Sequence, residues 1–139
     1  MDGRHDLSAA ITFFYYDKLA PAARFYEDLL GLELVEDQGW ARLYRVSKRA
    51  FLGIVDAAKG YHPVRRENSV MLTLVTGDVD EWYTLLSRAG AEIETSITVH
   101  DDIGVKGFFL RDPGGYVVEI QSFLDPQVGA RFGQVGRPT

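Results

Sequence analysis

The chain of 139 residues contains no cysteine. Without a thiol there can be no disulfide scaffold, no cysteine nucleophile and no zinc-finger site, and such a sequence fits a reducing, cytoplasmic setting. Basic charge is also scarce, because 15 Lys and Arg stand against 20 Asp and Glu, a formal net charge of -5. We therefore expect no nucleic-acid partner. No apolar run approaches the roughly 20 residues of a membrane helix, so we expect no membrane partner.

Signature motifs of several enzyme classes are missing as well. The sequence has no Gly-x-x-x-x-Gly-Lys loop, no Gly-x-Gly-x-x-Gly after a strand and no nucleophile elbow built around serine. Its three histidines form no pair at metal-ligand spacing. These absences exclude the common nucleotide-binding and serine-hydrolase patterns.

The elements that the sequence does predict follow the same order twice: a strand, a helix and three strands. Strands are indicated by β-branched and aromatic residues, and helices by apolar residues at i, i+3, i+4 and i+7. In the first half, strands are predicted at 11–16, 32–36, 40–46 and 50–55, and a helix at 22–30 that Gly31 ends. In the second half, strands are predicted at 69–76, 91–99, 105–111 and 116–123, and a helix at 79–89.

This order predicts an α+β fold in which two βαβββ modules form one domain. Module one would span about 9–57, a linker 58–68 and module two about 69–123. The polar tail at 124–139 is expected to be loosely ordered or laid over a partner subunit. Two curled sheets of this kind would enclose a concave apolar cleft, which is the usual site of a small ligand.

Three stretches carry a resemblance to a known family. The segment 24–32 (RFYEDLLGL) resembles its first-helix signature, 78–82 (DVDEW) the start of its second helix, and 112–120 (DPGGYVVEI) its terminal hairpin. In this order, over about residues 9–123, they make the chain similar to the vicinal-oxygen-chelate superfamily of glyoxalases, bleomycin-resistance proteins and dioxygenases. The resemblance implies a cupped, mixed β-sheet built by the two modules.

The resemblance also implies where a metal ion would be held. Members of the family place ligands on the first and last strands of each module, around a divalent ion that binds two neighbouring oxygens of the substrate. Matched residue by residue, these positions fall at Ile11, near Gly53, at Met71 and at Glu119. Only Glu119 offers an oxygen to a hard divalent ion, since a lone thioether suits soft ions. We therefore predict a degenerate site with no metal or other cofactor.

Glu119 is thus the first candidate for a functional side chain. It is either a hydrogen-bonded carboxylate kept from ancestry or a general acid or base. As a base it would act with Tyr15, which shares a strand face with the first ligand position, or with His62 if the loop of that histidine folds inward. A rearranged metal site, joining Glu119 to His62 or His100, stays open as an alternative.

Aromatic and polar residues are predicted to line the ligand site around this carboxylate. The predicted ligand-binding residues are Phe13, Trp40, Tyr44, Met71, Thr73, Phe108 and Gln121. Taken singly, such an aromatic ring is more often part of the core, but as a set they indicate a pocket for a flat or apolar organic molecule. Three strand arginines, Arg42, Arg45 and Arg111, could contact an anionic part of a ligand.

Three functions follow from these residues. The first is metal-independent binding of a small, partly aromatic or apolar molecule, as in the sequestration of a drug or metabolite. The second is a metal-independent lyase, isomerase or hydrolase with Glu119 as general base. The third is a residual metal-dependent lyase or dioxygenase. The partner in each is a small molecule, and the resemblance implies that the chain could pair as a homodimer.

Overall fold

The computed structural model describes residues 5–135, and the chain divides into two compact units between Arg65 and Arg66. Within this range the first unit contains β1 (Ala10–Tyr16), α1 (Leu19–Arg24) with a π-helical turn (Phe25–Leu29), β2 (Glu33–Asp37), β3 (Ala41–Ser47) and β4 (Ala50–Asp56). The second contains β5 (Met71–Val75), α2 (Val79–Arg88), β6 (Glu92–Ile93), β7 (Thr98–His100), β8 (Val105–Arg111), β9 (Val117–Phe123) and α3 (Pro126–Arg131). No helix of this range is long and apolar enough to span a membrane.

The sheet of the first unit has the strand order β1-β4-β3-β2. The first and last strands of the module are therefore neighbours, and they run parallel, whereas the other pairs are antiparallel. Side chains alternate between two faces, and those of the face towards the helix are buried: Phe14, Tyr16, Tyr44, Leu52 and Ile54. They form the core of this unit together with the helix.

The helix predicted at 22–30 is present, but it begins earlier and ends irregularly. It starts at Leu19, and in its last turn the N–H of Leu30 donates to the carbonyl of Phe25 at 3.0 Å, which is π-helical bonding. Both Phe25 and Tyr26 are buried in this turn. Gly31, at φ 70°, follows the helix in the left-handed conformation, so its predicted role as the stop is confirmed.

The sheet of the second unit has the strand order β5-β9-β8-β6, and β7 pairs with the same edge of β8 as β6 does. Again the first and last strands of the module are parallel neighbours. Val79 and Leu86 of α2 are buried with the helix-side residues of β8 and β9. Both units thus follow the βαβββ order, with β6 and β7 together taking the place of one strand in the second, and the predicted α+β fold class is confirmed.

The single strand predicted at 91–99 is wrong, because two short strands, β6 and β7, take its place. Between them, the N–H groups of Glu94 and Thr95 both point to the carbonyl of Phe109, at 2.8 and 3.4 Å. The hydroxyl of Thr95 accepts the N–H of Phe109 at 2.9 Å in place of a backbone carbonyl. The strand therefore bulges and loses its regular register at this point.

The tail, predicted to be loosely ordered or laid over a partner subunit, contains a short helix, α3, so the expected loose order is wrong for the described residues up to 135. Asp125 caps α3, since its Oδ1 accepts the N–H of Gln127 at 2.9 Å. Phe132, just after the helix, stacks on Phe123 of β9 with ring centroids 4.8 Å apart. A helix this short is stabilised by tertiary contacts, which the sequence pattern does not display. Residues 136–139 of the predicted tail lie outside the described residues.

Candidate functional site

Glu119 occupies the middle of β9 and is only 9% exposed. Parallel pairing places Thr73 of β5 beside it, and the hydroxyl of Thr73 donates a hydrogen bond to Oε1 of Glu119 at 2.8 Å. This bond orients the carboxylate on the face of the sheet. Two residues that the sequence predicts for the site are thus brought together.

The face that carries Glu119 continues across three strands. By register and alternation, Met71 and Thr73 of β5 and Gln121 of β9 point to this face. On the other side of Glu119, the residue directly opposite on β8 is Phe109, which is partly buried. Met71 is 50% exposed and Gln121 is partly exposed, so a ligand can reach this face. We name it the Glu119 face.

Phe108, predicted to bind the ligand, lies on the opposite side of this sheet. It is fully buried, and its ring meets the edge of Tyr83 of α2 with centroids 5.0 Å apart. The expected placement is incorrect because consecutive strand residues point to opposite faces, so an error of one residue changes the face. Phe109 is the residue that sequence reasoning missed. Counting back through the Asp112–Gly115 turn, which sets the hairpin register, would have paired it with Glu119.

In the first unit, Ile11, Phe13 and Tyr15 share the face away from the helix, as strand alternation predicts. The ring of Phe13 lies directly over Gly53 of β4. A Cβ built on Gly53 would overlap Cδ1 and Cε1 of Phe13 and would lie 3.0 Å from the side chain of Leu43. Only glycine therefore fits at position 53 while Phe13 keeps this position.

The loop that follows β4 folds back onto Tyr15. At Gly60 a Cβ would lie 2.5 Å from the side chain of Val55 and 2.9 Å from the ring of Tyr15, so the loop backbone approaches both closely. His62 meets Tyr15 edge-on, with ring centroids 5.2 Å apart, and Tyr61 packs against His62 at 4.8 Å. The structure thus brings together the predicted catalytic residues Tyr15 and His62, and His62 remains exposed.

Tyr44 and Trp40 do not join the face of Phe13. Tyr44 is fully buried on the helix side of the first sheet, with its ring 6.4 Å from that of Tyr26. Burial raises the pKa of the Tyr44 hydroxyl to about 12, and the carboxylate of Glu27 acts in the same direction. Trp40 precedes β3 and is 44% exposed. The expected placement of Tyr44 at a ligand site is incorrect for the same reason as that of Phe108.

The three arginines considered as contacts for an anionic ligand are each bound to a carboxylate. The pairs are Arg42 with Glu27 at 3.1 Å, Arg45 with Glu33 at 3.2 Å and Arg111 with Glu94 at 2.6 Å. The hydrogen bond from Arg111 to Glu94 also raises the pKa of this guanidinium. Because each positive charge already faces a negative one, these arginines do not favour an anionic ligand.

The positions that the resemblance assigns to metal ligands do not fit a hard divalent ion. Ile11 and Gly53 have no ligand atom, an aromatic ring fills the space above Gly53, and Met71 offers only a thioether. Among residues 5–135, no group of three or more His, Asp or Glu side chains could hold a metal ion. His100, at the end of β7, and His5, before β1, are both exposed. A rearranged metal site therefore gains no support from the described residues.

Comparison with known proteins relates this geometry to one family. The family model described as Glyoxalase/Bleomycin resistance protein/Dioxygenase superfamily matches residues 9–120. No curated protein matches the chain in sequence. The matched range includes both β1 and Glu119.

Solved structures of similar fold come from several bacteria. The chain is 27% identical to a lactoylglutathione lyase from Agrobacterium tumefaciens, with a TM-score of 0.67 over 84% of this chain and 95% of that chain. A glyoxalase/bleomycin resistance protein/dioxygenase from Alicyclobacillus acidocaldarius is 18% identical, with a TM-score of 0.67 over 91% and 98%. TioX from Micromonospora sp. ML1 is 17% identical, with a TM-score of 0.67 over 84% and 99%. At such identities the last two likenesses concern the fold alone.

Proposed function

This chain belongs to the Glyoxalase/Bleomycin resistance protein/Dioxygenase superfamily, and from that premise we propose that it binds a small, flat organic molecule with an amino group, without a metal ion and without chemical conversion. The ligand lies on the Glu119 face, with its amino group at the carboxylate and its ring system against Phe109. A protein of this kind sequesters a drug or metabolite.

The observation that carries the proposal is the incomplete hydrogen bonding of Glu119. A carboxylate offers about four acceptor positions, whereas among the described residues Thr73 donates to Oε1 and no cation pairs with the group. Burial of a carboxylate without a cation is unfavourable because hydration is lost. A positively charged N–H donor on a ligand therefore makes a strong, charge-assisted hydrogen bond there.

The surroundings of Glu119 support a flat ligand. Phe109 provides an aromatic ring on the neighbouring strand β8, directly opposite Glu119 and on the same face. Met71 of β5 provides a flexible, polarisable side chain on that face. Gln121 adds an amide that can accept or donate a hydrogen bond. The formal net charge of -5 attracts cations over a longer range.

Calorimetric titration with 4-aminoquinoline, a flat aromatic cation, tests the proposal. We expect stoichiometric binding, weakened roughly 10- to 100-fold in Glu119→Gln, the loss that corresponds to a charge-assisted hydrogen bond. Glu81→Gln is the matched control, because it removes an exposed carboxylate of α2 and should bind as the wild type does. Equal binding by Glu119→Gln, or loss of binding after treatment with a chelator, would contradict the proposal.

A metal-independent lyase or isomerase is a second candidate, and the contact between Tyr15 and His62 favours it. In this alternative the imidazole of His62 and the hydroxyl of Tyr15 move or hold a proton. Lactoylglutathione, named in the Agrobacterium relative, is the substance to test. Its conversion by chelator-treated protein, with a decrease in His62→Gln, supports the enzyme. Its recovery unchanged by the wild type contradicts it.

A further inference from the structure

The C-terminal segment 125–135, which we name the strap, is fastened to the end of β9 by one side chain. Oε1 of Gln134 accepts the N–H of Phe123 at 2.9 Å, and Nε2 of Gln134 donates to the carbonyl of Phe123 at 3.0 Å. The two bonds resemble those that a neighbouring strand would make to β9. They lie beyond Gln121, where the pairing of β9 with β5 ends. Gly129 makes room for this amide, since a Cβ there would lie 3.0 Å from Nε2.

The strap places an aromatic ring on the Glu119 face. Phe132 stacks on Phe123, with the ring planes 18° apart and the centroids 4.8 Å apart. Phe123, Gln121 and Glu119 alternate along β9, so their side chains point to the same side of the sheet. Phe132 is 62% exposed, so the ring also presents free surface to a ligand.

Between the strand pair that contains Phe109 and the pair that contains Phe123, this face carries only the pair of Gln121 and Gly107, and we name this stretch the slot. Its floor is the pair Gln121 and Gly107, and Gly107 is required because a Cβ there would lie 2.5 Å from a backbone carbonyl oxygen of β9. The pairs that contain Phe109 and Phe123 are separated along the strands by about 13 Å. Subtracting half the thickness of a ring at each end leaves roughly 9 Å, which suits two fused aromatic rings and is too short for three.

We propose that Phe132 is a specificity-determining residue, which closes this slot at the C-terminal end of β9 and limits the ligand to two fused rings. The inference rests on the proposed function, because it takes Glu119 as the anchor of the amino group. From that anchor the ring system extends past Gln121 until its far edge meets Phe132. The bonds of Gln134 hold the strap, and therefore the ring, in this position.

Three amines whose rings extend away from the amino group test the inference: benzylamine, 2-(aminomethyl)naphthalene and 2-(aminomethyl)anthracene. Phe132→Ala lengthens the slot, so the affinity for the three-ring amine relative to the two-ring amine should rise about tenfold. The affinity for benzylamine should not change, because one ring does not reach Phe132. An unchanged ratio in Phe132→Ala, measured by titration calorimetry beside the wild type, overturns the inference.

A second pair of variants tests whether the strap holds the ring. Gln134→Ala should raise the affinity for the three-ring amine relative to the two-ring amine, because it removes the clamp, the two hydrogen bonds between Gln134 and Phe123. Gln127→Ala changes a side chain of α3 outside the clamp and should leave this ratio unchanged. Hydrogen exchange of the Phe123 amide needs no ligand and should be faster in Gln134→Ala than in Gln127→Ala; equal exchange overturns the clamp. If the wild type binds none of the amines, the proposed function fails and the inference fails with it. If binding depends on Glu119 but the ratios stay constant, only the inference fails.

Discussion

Thr73 and Glu119 are joined across the parallel pair of β5 and β9 by a hydrogen bond of 2.8 Å from hydroxyl to carboxylate. These strands are the first and the last of the second module, so the bond connects its two ends at the candidate site. Loss of the donor would leave a mostly buried carboxylate without a hydrogen-bond donor among residues 5–135. Hydrogen bonds to charged groups contribute more than those between neutral groups, so this bond should be measurable in stability.

Thr73→Val removes the hydroxyl and keeps the shape of the side chain. We expect the free energy of unfolding, measured with urea, to fall by about 1–2 kcal/mol. Thr73→Ser keeps the hydroxyl and is the control with the smaller loss. In a Glu119→Gln background the penalty of Thr73→Val should shrink, and an undiminished penalty would show that the bond is not its cause.

The order of strands and helices could be predicted because its signals are local in the sequence. The stripe of apolar residues before Gly31 and the turn between β8 and β9 each determine an element from a few neighbouring residues. The division of the strand predicted at 91–99 could not be predicted. It depends on the hydroxyl of Thr95 bonding to Phe109 of another strand, and this contact leaves no pattern in the sequence.

The candidate site was predicted only in part, because strand faces depend on register. Strand alternation predicts that Gln121 shares the face of Glu119, and the parallel pairing of β5 and β9 places Thr73 on the same face. Phe108 and Tyr44 are predicted to bind the ligand only because they are aromatic. Both pack against helices and not on a face open to a ligand. The clamp of Gln134 was not foreseen, since a side-chain amide that imitates a strand has no sequence signature.

Asp112 holds the hairpin that aligns Phe109 with Glu119. Its Oδ1 accepts the N–H groups of Gly114 and Tyr116, both at 2.9 Å, and the residue is only 5% exposed. Asp112→Ala removes the oxygen that accepts both N–H groups, so we expect a loss of about 1–3 kcal/mol in urea unfolding. Asp112→Asn retains a side-chain oxygen and should lose less. Equal stability of the alanine variant and the wild type would contradict this role.

Gly53 permits the position of Phe13. In Gly53→Ala the added methyl group overlaps the aromatic ring, so the ring must move, and we expect a loss of about 1–3 kcal/mol in unfolding free energy. Phe13→Ala removes the obstacle, and the double variant serves as the control. It should lose less than the two single variants added together; strict additivity would mean that the ring does not constrain position 53.

Tyr44 should make stability depend on pH in the alkaline range. Burial raises the pKa of its hydroxyl to about 12, which the neighbouring Arg42 opposes only in part, whereas an unfolded chain has a phenol pKa of about 10. The folded state holds this proton more tightly, so the stabilising contribution is complete below the unfolded pKa and is lost as the pH rises towards 12. Tyr44→Phe removes the titrating hydroxyl, and with it the interaction with the guanidinium of Arg42, and keeps the shape of the ring. In urea unfolding at pH 9 and pH 11, the stability of Tyr44→Phe relative to the wild type should rise by about 1 kcal/mol, and parallel pH profiles would refute the expectation.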